Sequence, residues 1–244
     1  MTRTVAGQSL LDTFARIRII NLPERTDRRR EVTAELARLG IAVDGDKVAF
    51  YAAQRFGDPA GFRNIGARGC FDSHLKILEA AADLNGPLLI LEDDADFARG
   101  IETLMPVALD TLRQTDWSFF YGFGDPPRGS DTTGGLFEQA PDIGIGTTHC
   151  IGFTPGTVKL AIPYLRAMLA RPPGSPDGGP MDVDGAYCWF RRAHPQVRTF
   201  CTCPAIATQR PSRTDITPSR LDGIPVARQA MSLLRMIKRA ASRR

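Results

Sequence analysis

Apolar and polar positions along this chain fall into blocks with two different periods. Short apolar runs at residues 17–22, 47–53, 87–91, 117–121, 147–153 and 197–201 are bounded by Gly, Pro or polar turns, which predicts strands. Between them the apolar residues recur every three to four positions. Val32, Leu36 and Leu39 form one stripe, opened by Thr26 or Asp27 as a cap and stopped by Gly40. Phe71, Leu75, Leu78 and Ala82 form a second, starting near Gly69 with Asp72 or Ser73 as cap. A third helix is expected over 101–112. A fourth opens at Thr154 and Pro155, carries Val158, Ile162, Leu165 and Leu169, and bends at Pro163. A fifth follows Asp182 and Asp184 and runs through Trp189. Strands alternating with helices predict an α/β fold with a mostly parallel sheet and right-handed crossovers. Residues 1–16 carry no clear signal and read as an N-terminal extension to a domain over 17–216, with residues 217–244 as a separate tail. Residues 122–146 and 171–180 are rich in Gly, Pro, Asp and Ser, the composition of functional or mobile loops.

The run at 87–91 ends abruptly in Glu92, Asp93, Asp94 and Asp96. Apolar on every position, it suits a strand covered on both faces, and ligands bind α/β sheets at the carboxyl ends of such strands. If the extended conformation continues, Glu92, Asp94 and Asp96 share one face and Asp93 takes the other. Like charges about 4 Å apart repel by roughly 1 to 4 kcal/mol per pair, so the arrangement calls for a cation. Oxygen-only ligands point to Mg2+ or Mn2+, which one or two carboxylates hold together with water and substrate phosphates. A solvated acidic loop is the alternative. Arg25, Arg28, Arg29 and Arg30 sit in the first turns after the first strand, where cations oppose the helix dipole. They read either as an anion contact or as exposed basic surface. His74 reads as an ordinary histidine or a substrate contact. Of Asp182 and Asp184, one is expected to cap its helix and the other is free for chemistry.

Charge changes the picture at the C-terminus. The net charge of +4 is carried by the tail, where Arg228, Arg235, Lys238, Arg239, Arg243 and Arg244 meet no acid after position 224. The body is nearly neutral, so no nucleic-acid partner is indicated. A helix over 224–241 would place Val226, Ala230, Leu233, Leu234 and Ile237 on one face and the cations on the rest. That is the profile of an interfacial helix on an anionic membrane surface, with core packing and a nucleic-acid arm as rival readings. Five scattered cysteines and no secretory signal suggest reduced thiols and a cytoplasmic protein, peripheral on the cytoplasmic face of a membrane if the tail binds there.

Several ordered blocks carry a family resemblance: INLPERTDRR at 20–29, GARGCFDSHLKILE at 66–79, LLILEDDADF at 88–97, THCIGFTPGTVKL at 148–160, PMDVD at 180–184 and QRPSRTDI at 209–216. Together they resemble glycosyltransferase family 25, the lipopolysaccharide and collagen β-galactosyltransferase group. The resemblance implies a GT-A-like α/β fold, a UDP-sugar donor (commonly UDP-galactose) and inverting transfer to a hydroxyl of a glycan or lipid-linked acceptor. It further implies Asp94 as the leading metal ligand for Mn2+ or Mg2+, assisted by Glu92 or Asp96. Asn21, Arg28, His74 and Asp93 would lie on the donor side, Asp182 would be the general base, and Asp184 the second choice. The chain departs from the family pattern at Ala67, where an acid is usual, and at Asp72, where an apolar residue is usual; both bear on the donor sugar.

Two rival functions use the same features. A metal-dependent sugar nucleotidyltransferase also places acids after a strand, but it couples a nucleotide to a sugar phosphate and releases pyrophosphate. A non-catalytic nucleotide-sugar or glycan-binding protein would keep the fold without turnover.

Overall fold

The computed structural model describes residues 2–210 of the 244-residue chain. Nine strands and six α-helices follow one another along these residues: α1 Val5–Thr13, β1 Arg16–Asn21, α2 Thr26–Arg38, β2 Val48–Ala52, α3 Ile65–Ala80, β3 Leu88–Glu92, β4 Ala95–Phe97, α4 Ile101–Arg113, β5 Phe119–Tyr121, β6 Leu136–Gln139, β7 Cys150–Phe153, α5 Pro155–Leu169, α6 Val183–Ala193, β8 Thr199–Thr202 and β9 Ala207–Gln209. Seven strands form one sheet in the order β2-β1-β3-β7-β5-β8-β6. β1, β2 and β3 pair in parallel, as do β5 and β8, while β7 runs against β3 and β5 and β6 runs against β8. Most strands therefore share one direction, as the alternation of elements predicts.

β3 sits in the middle of this sheet and explains the apolar run. Leu88 and Ile90 pack on the face covered by α3, α5 and α6, whereas Leu89 and Leu91 pack on the face covered by α1, α2 and α4; all four are fully buried. A strand flanked by helices on both faces needs an apolar residue at every position. Residues 1–16, silent in sequence, supply α1 to this second layer. Ala6, Leu10 and Phe14 are buried there, and Thr4 caps the helix by accepting from Gly7 N at 3.0 Å. Gly7 itself permits the contact with α2, because a Cβ there would lie 2.1 Å from Leu39 O.

Four local expectations change. α3 begins at Ile65 rather than near Gly69, and its cap is Asn64, whose Oδ1 accepts from Ala67 N at 2.8 Å. Asp72 and Ser73 instead lie inside the helix, where Ser73 Oγ donates to Gly69 O. Thr26 and Asp27 are the first residues of α2, with Arg25 in the cap position. The segment over 122–146 contains strand β6, which a Gly-rich composition hid, and Ala207–Gln209 pairs with β4 as a separate two-stranded sheet. No described helix is long and apolar enough to cross a membrane. The tail beyond 210, including the interfacial helix expected there, lies outside the described residues.

Candidate active site

β1 and β3 run side by side with Ile20 opposite Glu92, so their carboxyl ends open at the same level. There the chain turns. Asp93 and Asp94 form a tight turn between β3 and β4, and the extended conformation does not continue through the acids. This corrects the expectation that Glu92, Asp94 and Asp96 share one face. The turn gives each acid its own environment.

Asp93 points back toward β1. Its Oδ2 accepts from Asn21 Nδ2 at 2.7 Å and its Oδ1 from Arg28 Nη1 at 2.9 Å, an ion pair with both side chains largely buried. Burial raises the Asp93 carboxyl above its usual range, and the charge of Arg28 and the Asn21 hydrogen bond only partly offset this. Arg28, the innermost of the arginine cluster, thus serves to hold the turn. Asp96 faces the opposite way, where Arg210 Nε donates to its Oδ1 at 2.9 Å and Arg210 Nη1 reaches Glu31 at 2.7 Å. Arg210 therefore clasps β4 to α2 by bridging Asp96 and Glu31, and Asp96 is occupied by that ion pair.

Asp94 differs from both. Its Oδ2 lies 3.7 Å from Arg28 Nη1 and accepts from Gln209 at 3.3 Å, but its Oδ1 is buried without a hydrogen-bond partner among the described residues. Burial, with the charges of Glu92 and Asp93 added, pushes its carboxyl up to about 7. An orphaned carboxylate oxygen and surplus negative charge are what a divalent cation relieves, so the residues fit Mg2+ or Mn2+ on Asp94. Glu92 closes the other side. Its Oε1 accepts from Thr148 Oγ1 at 2.5 Å and lies 3.8 Å from His74 Nε2. Burial alone would raise Glu92, but His74 and Thr148 outweigh it and leave the group below its usual range.

Glu92, Asp93 and Asp94 form one wall of a cavity of about 110 Å³ that opens to solvent. Asn21, Leu22 and Arg28 come from the end of β1 and from α2, and Gln54 and Arg55 from the segment after β2. Ile65, Gly66, Gly69, Cys70 and Ser73 present one face of α3, including its amino end, where free backbone N–H groups favour an anion. Gln54, Arg55, Cys70 and Gln209 are lining residues that the sequence reading missed. Only Cys70 left a signal, since it stands one helical turn before His74.

Other expected residues lie outside the cavity lining. His74 is fully buried beneath it, with Nδ1 3.1 Å from Tyr187 Oη. Asp182 occupies the cap position of α6, is partly exposed, and accepts from Arg63 Nε at 3.1 Å. Asp184 is tied down locally, accepting from Thr147 N at 3.0 Å and Gly185 N at 2.8 Å. Of the two, Asp182 is the one whose side chain makes no backbone hydrogen bond among the described residues.

The site is thus an acidic turn at the sheet's carboxyl edge, clamped by an arginine and open to a solvent-accessible cavity. No protein-family model matches the chain, and no curated protein matches it. A solved structure similar to it is that of a glycosyltransferase involved in the glycosylation of the major capsid of PBCV-1, at 12% identity and a TM-score of 0.47, covering 89% of this chain and 99% of that one. At that score the functional reading rests on the site itself and on the quoted sequence blocks.

Proposed function

We propose that the protein is a metal-dependent inverting glycosyltransferase that moves a sugar, galactose by preference, from a UDP-sugar to a hydroxyl of a glycan or lipid-linked acceptor. The observation that carries this reading is Asp94: a buried carboxylate with one oxygen unpaired among the described residues, at the mouth of a cavity that also presents the amino end of α3, Arg28 in its ion pair with Asp93 and Arg55 in its ion pair with Glu24. A site offering both a cation ligand and anion-attracting groups suits a nucleoside diphosphate with its bound ion. Asp94 would hold that ion, Mn2+ or Mg2+, which when bound supplies charge neutralisation on the leaving diphosphate. Arg28 and Asn21 keep the turn in place through Asp93, so Asp94 is positioned before the donor arrives. Asp182 is the proposed general base; once released from Arg63 it takes the proton from the acceptor hydroxyl as that oxygen attacks the anomeric carbon. A single displacement inverts the centre and needs no covalent nucleophile.

The test is product analysis with the full-length protein and a panel of UDP-sugars in Mn2+. Release of free UDP with transfer to an acceptor is the expected result. Pyrophosphate formed from a nucleoside triphosphate and a sugar phosphate would replace this reading with nucleotidyl transfer, and binding without any turnover would leave a nucleotide-sugar-binding protein. Asp182→Asn should lower turnover by about 10² to 10⁴ with donor affinity little changed.

A further inference from the structure

Behind the cavity wall, three side chains of different chemistry converge. Cys70 and His74 stand one turn apart on the same face of α3, and Glu92 ends the neighbouring strand β3. Cys70 Sγ, a ring nitrogen of His74 and a Glu92 carboxylate oxygen all lie within 4.8 Å of one another. His74 is fully buried, and its Nε2 has no hydrogen-bond partner among the described residues. The 3.8 Å to Glu92 Oε1 is too long for a hydrogen bond. An ion pair alone would therefore leave a buried nitrogen unsatisfied. When Nδ1–H donates to Tyr187 Oη, Nε2 is left as a lone pair 3.8 Å from Glu92 Oε1, the kind of partner arrangement that orients a ligating histidine. Thr148 fixes Glu92 in the same way through Oε1.

We propose that Cys70, His74 and Glu92 form a three-ligand site for a zinc-class divalent ion, with the fourth coordination position facing the cavity. One sulfur, one imidazole nitrogen and one carboxylate oxygen are a donor set for zinc or cobalt rather than for magnesium, which takes oxygen ligands. Bond lengths of about 2.0 to 2.3 Å in a tetrahedron put ligands roughly 3.3 to 3.8 Å apart, so the trio needs to close by about 1 Å. Cys70 is half-buried and lines the cavity, so a rotation of its side chain is the closing movement the site requires. Cys70 and Glu92 line the cavity while His74 is sealed behind them, which leaves the remaining position open to water or to an oxygen of a bound anion. Binding converts the Cys70 thiol to a thiolate, with its proton released to solvent. The site is distinct from Asp94, and its existence does not depend on sugar transfer.

Cobalt titration of the chelator-treated, full-length protein tests this. One equivalent of Co2+ should give the intense visible bands of a tetrahedral ion and a thiolate-to-cobalt charge-transfer band, both displaced by Zn2+. Cys70→Ser should remove the charge-transfer band. Tyr187→Phe should weaken affinity about 10- to 100-fold while keeping it, and Asp94→Asn should leave the titration within twofold. In the unaltered protein, Zn2+ should shield Cys70 from alkylation, read by peptide mass, so the result does not hinge on a variant folding. A spectrum without the thiolate band, a band that survives Cys70→Ser, or alkylation of Cys70 unchanged by Zn2+ overturns the site. Cobalt binding without sugar transfer would sink the glycosyltransferase reading and leave this one standing.

Discussion

Asp93 and Asp94 are adjacent, both largely buried, and have opposite roles because only one of them has been given a full cation. Asp93 is clamped by Arg28 and Asn21, and removing its carboxylate takes the closest ion pair from a buried guanidinium; Asp93→Ala should cost about 3 to 5 kcal/mol in chemical denaturation. Burial raises both carboxyls, but Asp94 is the one raised up to about 7, and removing its charge is expected to stabilise the fold. Its folded carboxyl lies near 7, above its unfolded value, so the folded state holds a proton that the unfolded state releases as pH rises from about 4 to 7. Stability of the metal-free protein should therefore fall across that window. Asp94→Asn should flatten the fall and be more stable at pH 7 by on the order of 1 to 4 kcal/mol, the upper end being the full linkage of the shift. Mn2+ should raise the melting temperature of the unaltered protein more at pH 7 than at pH 5, and this gain should vanish in Asp94→Asn. A variant no more stable than the parent in metal-free buffer would show that the turn is not overloaded with negative charge.

Among the elements, α6 anchors the long segment between β5 and β7. Arg191 is fully buried on it and donates to carbonyls and one hydroxyl: Ile143 O at 2.9 Å, Ala140 O at 2.7 Å, Gln139 O at 3.3 Å and Thr199 Oγ1 at 2.9 Å. No acid pairs with it among the described residues, so the guanidinium works as a multiple hydrogen-bond donor that ties the segment over 139–143 and β8 to one helix. Arg191→Leu keeps the volume but leaves several buried acceptors unpaired. We expect a loss of roughly 2 to 5 kcal/mol, seen as a fall in Tm of about 5 to 15 °C. A change below 1 °C would mean that water replaces these bonds without cost. The same logic explains why the Gly- and Pro-rich composition of 122–146 misled: its order comes from a distant arginine and from pairing of β6 with β8, neither of which a local pattern contains.

At the scale of the whole chain, the described residues form two helical layers about one sheet, and the basic tail adds a separate proposal. Its apolar stripe and its uncompensated arginines suggest that it holds the protein on an anionic membrane beside a lipid-linked acceptor. Each basic residue near such a surface contributes about 1 kcal/mol, and the effect decays within a Debye length. The full-length protein should co-sediment with anionic vesicles and be released as salt rises, whereas a chain ending at Asp222 should not bind. Association that ignores salt, or none at all, would remove the membrane from this account.

The alternation of periods along the chain was enough to determine the α/β class, the order of most elements and the location of the acids at the end of a buried strand. Those features are local: burial on both faces writes itself into every residue of β3, and a helix between strands repeats every three to four positions. The division of labour among the acids was not local. Whether Glu92, Asp94 and Asp96 share a face depends on a turn at Asp93, and that turn exists because Asn21 and Arg28, more than sixty positions earlier, hold it, while Arg210 draws Asp96 away from the other side. Helix α1 was invisible because its apolar face answers to α4 and Phe120 across the fold rather than to a pattern of its own. Cys70 read as an ordinary thiol until the packing of α3 against β3 set it beside His74 and Glu92. Burial and periodicity are properties of a segment, whereas the charge on a carboxylate is decided by whichever distant side chains the fold brings within a few ångströms of it.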